Sequence, residues 1–236
     1  MSLIKVPLIL LDAVNMKINA TPPNPPVPRS DLIIPDWRER FLRSLGWPCR
    51  LLRTTYWSVC FVEILVITAS RFPTNVLAKH ILRALMLNKT SPHRIRVTPL
   101  FLLGSVIGTF GTILRVQSFR TLGHLFTFEL SIQKNHTLVV NGPYAFVRHP
   151  SYVGLILTIL GYYFHHASGS WVSECGLLET TIGKLTLCVW STIAAAVIAS
   201  LLLRLSPEDK ILQMKFGAEW ELWAKRVPYR LIPGVF

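Results

Sequence analysis

An uncharged apolar segment at residues 185–203 constrains the fold of this chain more than any other part of the sequence. It is long enough to cross the hydrocarbon core of a bilayer as an α-helix. The whole chain of 236 residues is 51% hydrophobic, with a mean hydropathy of +0.43. These values are too high for an ordinary soluble domain and predict a multi-pass membrane protein.

Five apolar segments are predicted to span the membrane, namely residues 3–18, 54–70, 97–114, 150–166 and 185–203. The first is the weakest, because it carries Lys5, Asp12 and Lys17, and a membrane-surface helix remains the alternative for it. Short connections between apolar helices favour one compact bundle. We therefore predict an all-α, multi-pass transmembrane helical bundle of about five spans.

The chain is predicted to divide after residue 114. Residues 1–114 hold the N-terminal membrane helices, a proline-rich linker at 21–28 and an interfacial helix within 35–53, where apolar and basic residues mix. Residues 115–236 hold the last two spans and a C-terminal helix that starts at Ser206 as its N-cap. This second region is predicted to carry the chemistry.

Two features inside the spans predict helix packing. Glu63 lies near the middle of the second span, so we expect it to face the bundle interior and to have a partner. Gly104 and Gly108 form a small-residue pair that lets another helix approach closely. Both features indicate structure, not catalysis.

The formal net charge of +13 indicates which surfaces the chain can bind. Because the basic residues mostly flank apolar segments, they favour anionic lipid headgroups as partners, and nucleic acid is not predicted. Basic residues concentrate on the side that holds residues 115–150, which we expect to be cytosolic. The basic connection at 71–97 would then lie opposite, against the positive-inside rule. The four cysteines have no Cys-x-x-Cys spacing, so no disulfide framework or zinc site is predicted.

A polar, aromatic and turn-rich stretch at residues 135–154 lies between long apolar segments. Asn141-Gly-Pro143 predicts a turn, and Pro150 suits the first turn of a helix. Within nine residues the stretch concentrates side chains that a ligand pocket uses: Tyr144, Arg148, His149 and Tyr152. We predict that it lines the mouth of a membrane-buried pocket.

A second polar cluster, of Arg204, Glu208 and Asp209, follows the last span. If the last two spans form a hairpin, their polar ends meet on one side of the membrane, because a short loop makes neighbouring helices antiparallel. The alternative is that these residues only anchor helices at the interface. Two matched clusters favour a site at the cytosolic membrane face.

The sequence excludes several kinds of enzyme. It has no Gly-x-Ser-x-Gly, His-Glu-x-x-His, P-loop or Gly-x-Gly-x-x-Gly motif. Its histidines lack an orderly metal-ligand spacing, so no metal is predicted. The residues by themselves indicate a polar, aromatic pocket at a membrane face and do not specify a reaction.

The run Gly142-Pro-Tyr-Ala-Phe-Val-Arg-His-Pro-Ser-Tyr152, with His136-Thr-Leu-Val139 before it and the tail from Glu208 to Trp220 after it, resembles the isoprenylcysteine carboxyl methyltransferase family. The resemblance covers residues 118–236. Members are integral enzymes of the endoplasmic reticulum membrane that methylate the C-terminal carboxylate of prenylated CaaX proteins with S-adenosylmethionine. The resemblance therefore implies a methyltransferase that acts in CaaX processing, with a prenylated protein and the bilayer as its partners.

The resemblance also implies roles for individual residues. Arg204 would bind the substrate carboxylate and Glu208 would act at the cofactor, both at the catalytic centre. The residues expected at the cofactor are Glu129, His136, Thr137, Leu138, Val139, Tyr144, His149, Pro150, Ser151, Tyr152 and Glu208. Asp209 and Lys210 stand where relatives often have further glutamates, so the role of a second acid is open.

Three other functions remain as alternatives at this point. A phospholipid N-methyltransferase of the same fold would need a base, for which Glu208 or His149 could serve. An inactive relative could be a membrane scaffold. A sterol reductase shares a distant architecture, but no nicotinamide fingerprint is visible. The sequence indicates neither the preferred prenyl chain nor the oligomeric state.

Overall fold

The computed structural model describes residues 3–25, 46–87, 91–128 and 136–236 of the chain, and these residues contain helices, turns and irregular segments but no strand. Eight α-helices occur among them: α1 (Lys5–Asn19), α2 (Gly46–Ala69), α3 (Val76–Leu85), α4 (Pro99–Leu122), α5 (Pro150–Ala167), α6 (Trp171–Glu174), α7 (Thr181–Phe216) and α8 (Ala218–Arg226). The predicted all-α class is confirmed for this part of the chain. The predicted interfacial helix at 35–53 lies mostly outside it.

Three of the described helical segments are long and apolar enough to cross a membrane: Arg50–Ala69, Pro99–Leu125 and Thr181–Phe216. They correspond to the predicted second, third and fifth spans, with ends that differ by one or two residues at Ala69 and Pro99. The other two predicted spans correspond to α1 and α5. Helix α1 has only 15 residues and includes Lys5 and Asp12. Helix α5 has 18 residues and carries His165 and His166 in its last turn, which lower its hydropathy. The count of five spans is therefore not confirmed.

Helix α7 is longer than the sequence predicts. The expected helix start at Ser206 is wrong, because α7 runs without interruption through Pro207 to Phe216. Proline lacks an N–H and normally kinks or ends a helix. The next turn is held by side-chain contacts from outside the helix, since Asp209 binds His149 and Arg148. Those tertiary contacts offset the local preference for a break.

The described residues form two compact units, each built from segments that are far apart in sequence. The first unit contains the described residues of the ranges 1–17, 50–110 and 157–194. The second contains the described residues of the ranges 18–49, 111–156 and 195–236. The division predicted after residue 114 stays a prediction.

The first unit has an apolar core that encloses one ion pair. Its buried cluster includes Ile9, Ala13, Tyr56, Cys60, Ile67, Phe101 and Tyr162. The ammonium of Lys5 lies 2.5 Å from Oε1 of Glu63, and both side chains are at most 1% exposed. Glu63 also accepts a hydrogen bond from the backbone N–H of Trp171. The predicted interior partner of Glu63 is thus confirmed.

Close helix packing in the first unit depends on glycine. A Cβ added to Gly161 of α5 would lie 2.5 Å from Cα of Gly108 and 2.8 Å from the carbonyl oxygen of Gly104, both on α4. Such distances are too short for any side chain, so the two backbones pack directly against each other. The predicted role of Gly104 and Gly108 in helix packing is confirmed.

The second unit has its own apolar core beside the polar clusters. Its buried members are Tyr144, Trp220, Trp223 and Val227. Leu138, Val139, Leu212 and Phe216 pack against them. Helix α8 contributes both tryptophans, three residues apart, which places them on one helical face. This core supports the loop that carries the candidate site.

Candidate functional site

A sharp turn positions the loop before α5. Residues 142–145 form one turn of 3₁₀-helix, as the Asn-Gly-Pro sequence predicts. Gly142 has φ +57°, and a Cβ there would lie 2.9 Å from Oγ1 of Thr121. Only glycine fits both conditions. The turn directs Tyr144 into the core, where its carbonyl accepts a hydrogen bond from the indole N–H of Trp223 at 3.2 Å.

The C-terminal segment binds the same loop through the backbone. The N–H of Arg148 donates to the carbonyl of Tyr229 at 3.0 Å, and the N–H of His149 donates to the carbonyl of Arg230 at 2.9 Å. The Arg148 side chain also donates to the carbonyl of Pro228 at 3.2 Å. The loop is therefore held between the apolar core and the tail.

Asp209 is the centre of the polar cluster. Its Oδ1 accepts a hydrogen bond from Nε2 of His149 at 3.0 Å. Its Oδ2 lies 3.2 Å from the guanidinium nitrogens of both Arg148 and Arg230. The carboxylate thus fixes the orientation of the His149 ring, because an ionised carboxylate accepts only from a protonated ring nitrogen. The predicted meeting of the two polar clusters is confirmed.

Glu208 lies on the more exposed side of this cluster. Its Oε2 accepts a hydrogen bond from the Tyr152 hydroxyl at 2.5 Å. It lies 3.5 Å from Nε of Arg204 and 4.0 Å from Nδ1 of His149. About a quarter of the Glu208 side chain, 24%, remains exposed, whereas that of Asp209 is only 6% exposed. Glu208 is therefore accessible to a ligand, and Asp209 is enclosed.

Arg204 connects the cluster to the chain that precedes the undescribed residues 129–135. Its Nη1 donates to the carbonyl of Phe128 at 2.8 Å. The residue is 7% exposed. Glu129, one of the predicted cofactor residues, lies outside the described residues.

His136 and its neighbours lie against the end of α7. The His136 ring packs at 5.7 Å from the Phe216 ring. Burial, followed by the charges of Lys215 and His124, holds the pKa of His136 below its usual value. The Nδ1 atom of His136 is buried and has no hydrogen-bond partner among the described residues. Leu138 and Val139 pack into the apolar core, and Thr137 is exposed.

The remaining predicted residues form the start of α5. Pro150 and Ser151 are buried. Tyr152 stacks on His149, with ring centroids 5.3 Å apart and planes tilted by 28°. Burial and then the charge of Glu208 raise the pKa of Tyr144, which stays neutral. Four of the predicted residues thus share one cluster, namely His149, Tyr152, Arg204 and Glu208. Tyr144 lies in the apolar core of the same unit.

Sequence reasoning missed Arg115. Its guanidinium donates to the carbonyl and the hydroxyl of Ser151 at 3.2 and 3.1 Å. It also lies over the Phe119 and Phe128 rings at 5.0 and 5.1 Å. Ser151 is therefore bound to a buried cation. The sequence signal is an arginine directly after the predicted third span, since an ionisable residue beside apolar segments usually has a specific partner.

Comparisons with known proteins support the family resemblance that the sequence motifs indicate. A model of the isoprenylcysteine carboxyl methyltransferase family matches residues 103–173, which include the turn and the start of α5. A protein-S-isoprenylcysteine O-methyltransferase of Mus musculus is 32% identical over 139 residues, or 58% of this chain and 43% of the mouse protein. That of Schizosaccharomyces pombe is 32% identical over 120 residues, covering 50% of this chain and 43% of the yeast protein.

A probable protein-S-isoprenylcysteine O-methyltransferase of Oryza sativa subsp. japonica is 28% identical over 127 residues, covering 53% of this chain and 57% of the rice protein. The matches thus span about half the length of these relatives. They include mammalian, fungal and plant proteins that share one name. The resemblance of this chain to the isoprenylcysteine carboxyl methyltransferase family is thereby confirmed.

Proposed function

We propose that this protein is an S-adenosylmethionine-dependent methyltransferase that esterifies the C-terminal prenylcysteine carboxylate of CaaX-processed proteins in the endoplasmic reticulum membrane. The observation that carries the proposal is the meeting of Arg204 and Glu208 with His149 and Tyr152 in one cluster. The family resemblance makes this chemistry the favoured one. Five spans and a cofactor pocket at the cytosolic face belong to the same proposal.

The proposed reaction requires few catalytic groups from the protein. A carboxylate is ionised at neutral pH, so it needs no general base. Its oxygen forms a bond to the methyl carbon while the bond from that carbon to sulfur breaks, which gives a methyl ester and S-adenosylhomocysteine. The protein must align these atoms and exclude water.

The described residues have the chemistry that the cofactor requires. S-adenosylmethionine supplies an activated methyl group and carries positive charge. Glu208 offers a partly exposed carboxylate for such a charge, and Tyr152 fixes one of its oxygens. The buried Nδ1 of His136 offers a further polar contact. The stacked His149 and Tyr152 rings offer aromatic surface. These four residues would hold the cofactor.

Arg204 is the residue we assign to the substrate. Its guanidinium can bind a carboxylate in a bidentate pair, which fixes both the position and the orientation of the reacting oxygen. It already lies 3.5 Å from the carboxylate of Glu208. A substrate carboxylate would compete with Glu208 for Arg204, so binding of the substrate would weaken the Arg204–Glu208 pair. Glu208 would then be available to bind the cofactor.

Methyl transfer in membranes tests the proposal. Membranes that contain the full chain are incubated with labelled S-adenosylmethionine and N-acetyl-S-farnesylcysteine, and base-labile methyl ester is counted. We expect Arg204→Ala to lower transfer at least about 100-fold, as the loss of a charged contact of about 3 kcal/mol implies, while S-adenosylhomocysteine still binds. Arg120→Ala, an exposed arginine on α4, is the matched control and should keep wild-type transfer.

Three outcomes would overturn the proposal. Unchanged transfer in Arg204→Ala would remove the role of that residue. Labelling of phosphatidylethanolamine in place of the prenylcysteine would assign the site to phospholipid N-methylation. Absence of S-adenosylhomocysteine binding by the folded wild-type chain would show that the protein is not a methyltransferase that uses this cofactor.

A further inference from the structure

A cluster of three metal-binding side chains lies inside the first compact unit, and methyl transfer has no use for it. Asp12 of α1 and the consecutive His165 and His166 of α5 each offer a ligand atom, and these atoms lie within 4.8 Å of one another. Asp12 is 1% exposed and His165 is 0% exposed. None of the residues that we assign to the cofactor or the substrate belongs to this unit.

The cluster contains polar atoms that the described part of the protein leaves unsatisfied. Oδ1 of Asp12, Nε2 of His165 and both ring nitrogens of His166 are buried and have no hydrogen-bond partner there. Buried polar atoms in folded proteins are nearly always bonded, because an unmade bond costs the full desolvation of the group. Unsatisfied atoms on three adjacent side chains indicate a missing partner that can bind one atom of each.

Other side chains fix the remaining atoms of the cluster. The Ser105 hydroxyl lies 3.0 Å from Nδ1 of His165, so that ring presents Nε2 as its second nitrogen. The Tyr56 hydroxyl donates to Oδ2 of Asp12, and Oδ1 is the oxygen left over. Metal-binding histidines and carboxylates are typically oriented in this way, by a hydrogen bond on the atom that does not bind the metal.

The surrounding charge also favours a cation. Lys5 is the cation nearby, and its charge is balanced by Glu63 at 2.5 Å. Among the described residues, Asp12 forms an ion pair with His165, whose Nδ1 lies 3.6 Å from Oδ2, and this pair is charged only if the ring is protonated. A divalent ion bound by two neutral imidazoles and one carboxylate would neutralise Asp12 without protonating either histidine, and one positive charge would remain at the site.

We propose that Asp12, His165 and His166 bind one divalent transition-metal ion, with Zn²⁺ as the best match to two imidazoles and a carboxylate. Such ions form bonds of about 2.0–2.2 Å to these ligands. The ligand atoms now lie within 4.8 Å of one another and would have to move closer to reach that distance from one ion. Three protein ligands leave a position for water. The ion would link α1 to the end of α5 and so stabilise the packing of these two helices.

Metal analysis of the purified full chain tests this site. The chain is expressed with added Zn²⁺, purified in detergent through a tag without histidines, and analysed by mass spectrometry for metals. We expect about one equivalent of Zn²⁺ per chain in the wild type, and less than about a fifth of that in His165→Gln and in His166→Gln. His80→Gln, which changes an exposed histidine of α3, is the matched control and should retain the metal.

Cobalt binding to the wild type keeps the test decisive if the variants fold poorly. Co²⁺ added to metal-depleted wild-type chain should give the d–d absorption bands of a four- or five-coordinate ion, and Zn²⁺ should remove them. A chelator should lower the thermal midpoint of the wild type, and Zn²⁺ should restore it. Folded wild type without bound metal and without cobalt bands would overturn the proposal, as would full metal occupancy in His165→Gln.

Discussion

The free energy of unfolding should fall by about 4 kcal/mol when Asp209 is changed to Ala. Asp209 is 4% exposed, and its carboxylate binds His149, Arg148 and Arg230. The Arg148 side chain is only 10% exposed, so removal of the carboxylate leaves a buried cation without its partner, which costs about 3–5 kcal/mol. The Arg230 side chain is 31% exposed, so water screens its ion pair with Asp209, which contributes less than about 1 kcal/mol to stability.

Two variants separate the charge of Asp209 from its hydrogen bond. Asp209→Asn keeps the volume and an acceptor for His149, so we expect it to cost about 2 kcal/mol. Lys210→Ala changes the exposed neighbour on the same turn and is the matched control, with an expected change within about 0.5 kcal/mol. Denaturant titration of the purified chains in detergent micelles gives the three free energies of unfolding.

Hydrogen exchange gives a second, local readout. The backbone amides of Arg148 and His149 donate to the tail, and Arg230 connects that tail to Asp209. These two amides should therefore exchange faster in Asp209→Ala than in Lys210→Ala. If Asp209→Ala has the same free energy of unfolding and the same exchange rates as Lys210→Ala, Asp209 does not organise the cluster.

Three further predictions concern packing, a buried charge and pH. Gly154→Ala should cost about 1–3 kcal/mol in the same titration, because its Cβ would lie 2.6 Å from the carbonyl oxygen of Gly111; a cost below 0.5 kcal/mol would refute this contact. Glu63→Gln should cost about 3–5 kcal/mol by leaving the Lys5 charge, at 1% exposure, without its carboxylate, and the double change with Lys5→Met should recover part of that loss. The folded chain lowers the pKa of His136, so the unfolded chain binds the proton more tightly. The stability that this histidine contributes should therefore be present above about pH 6.5 and lost as the pH falls below it. Thermal unfolding of His136→Asn should show a smaller loss of stability between pH 7 and 5 than the wild type, and an equal loss would contradict the assignment.

Local patterns in the sequence were sufficient for three long apolar helices and for part of the site. Apolar segments identified the helices that correspond to residues 54–70, 97–114 and 185–203, because hydropathy depends only on neighbouring residues. An acidic residue in an apolar span was sufficient to predict a buried partner for Glu63, although not that the partner is Lys5. The turn at Gly142 follows from local backbone preferences.

Individual contacts between distant residues could not be derived in this way. The hairpin of the last two spans predicted that the clusters containing Arg148 and Asp209 meet, but not which atoms pair, and it did not indicate Arg230 as a partner of Asp209. The continuation of α7 through Pro207 contradicts the local signal for the same reason, since the contacts that stabilise it come from the loop before α5. The grouping of Asp12 with His165 and His166 likewise depends on how α1 and α5 pack.

The bonds from Arg148 and His149 to the tail also set an order of events during synthesis. The side-chain contact from Arg148 to Pro228 spans 80 residues of sequence. At about 5–20 residues per second, a ribosome needs about 4–16 s to add that length. Throughout this interval the loop before α5 exists without the carbonyls that its amides bind in the finished protein. A nascent chain that stops before residue 229 would carry the loop and α5 in a form that cannot complete the cluster around Asp209.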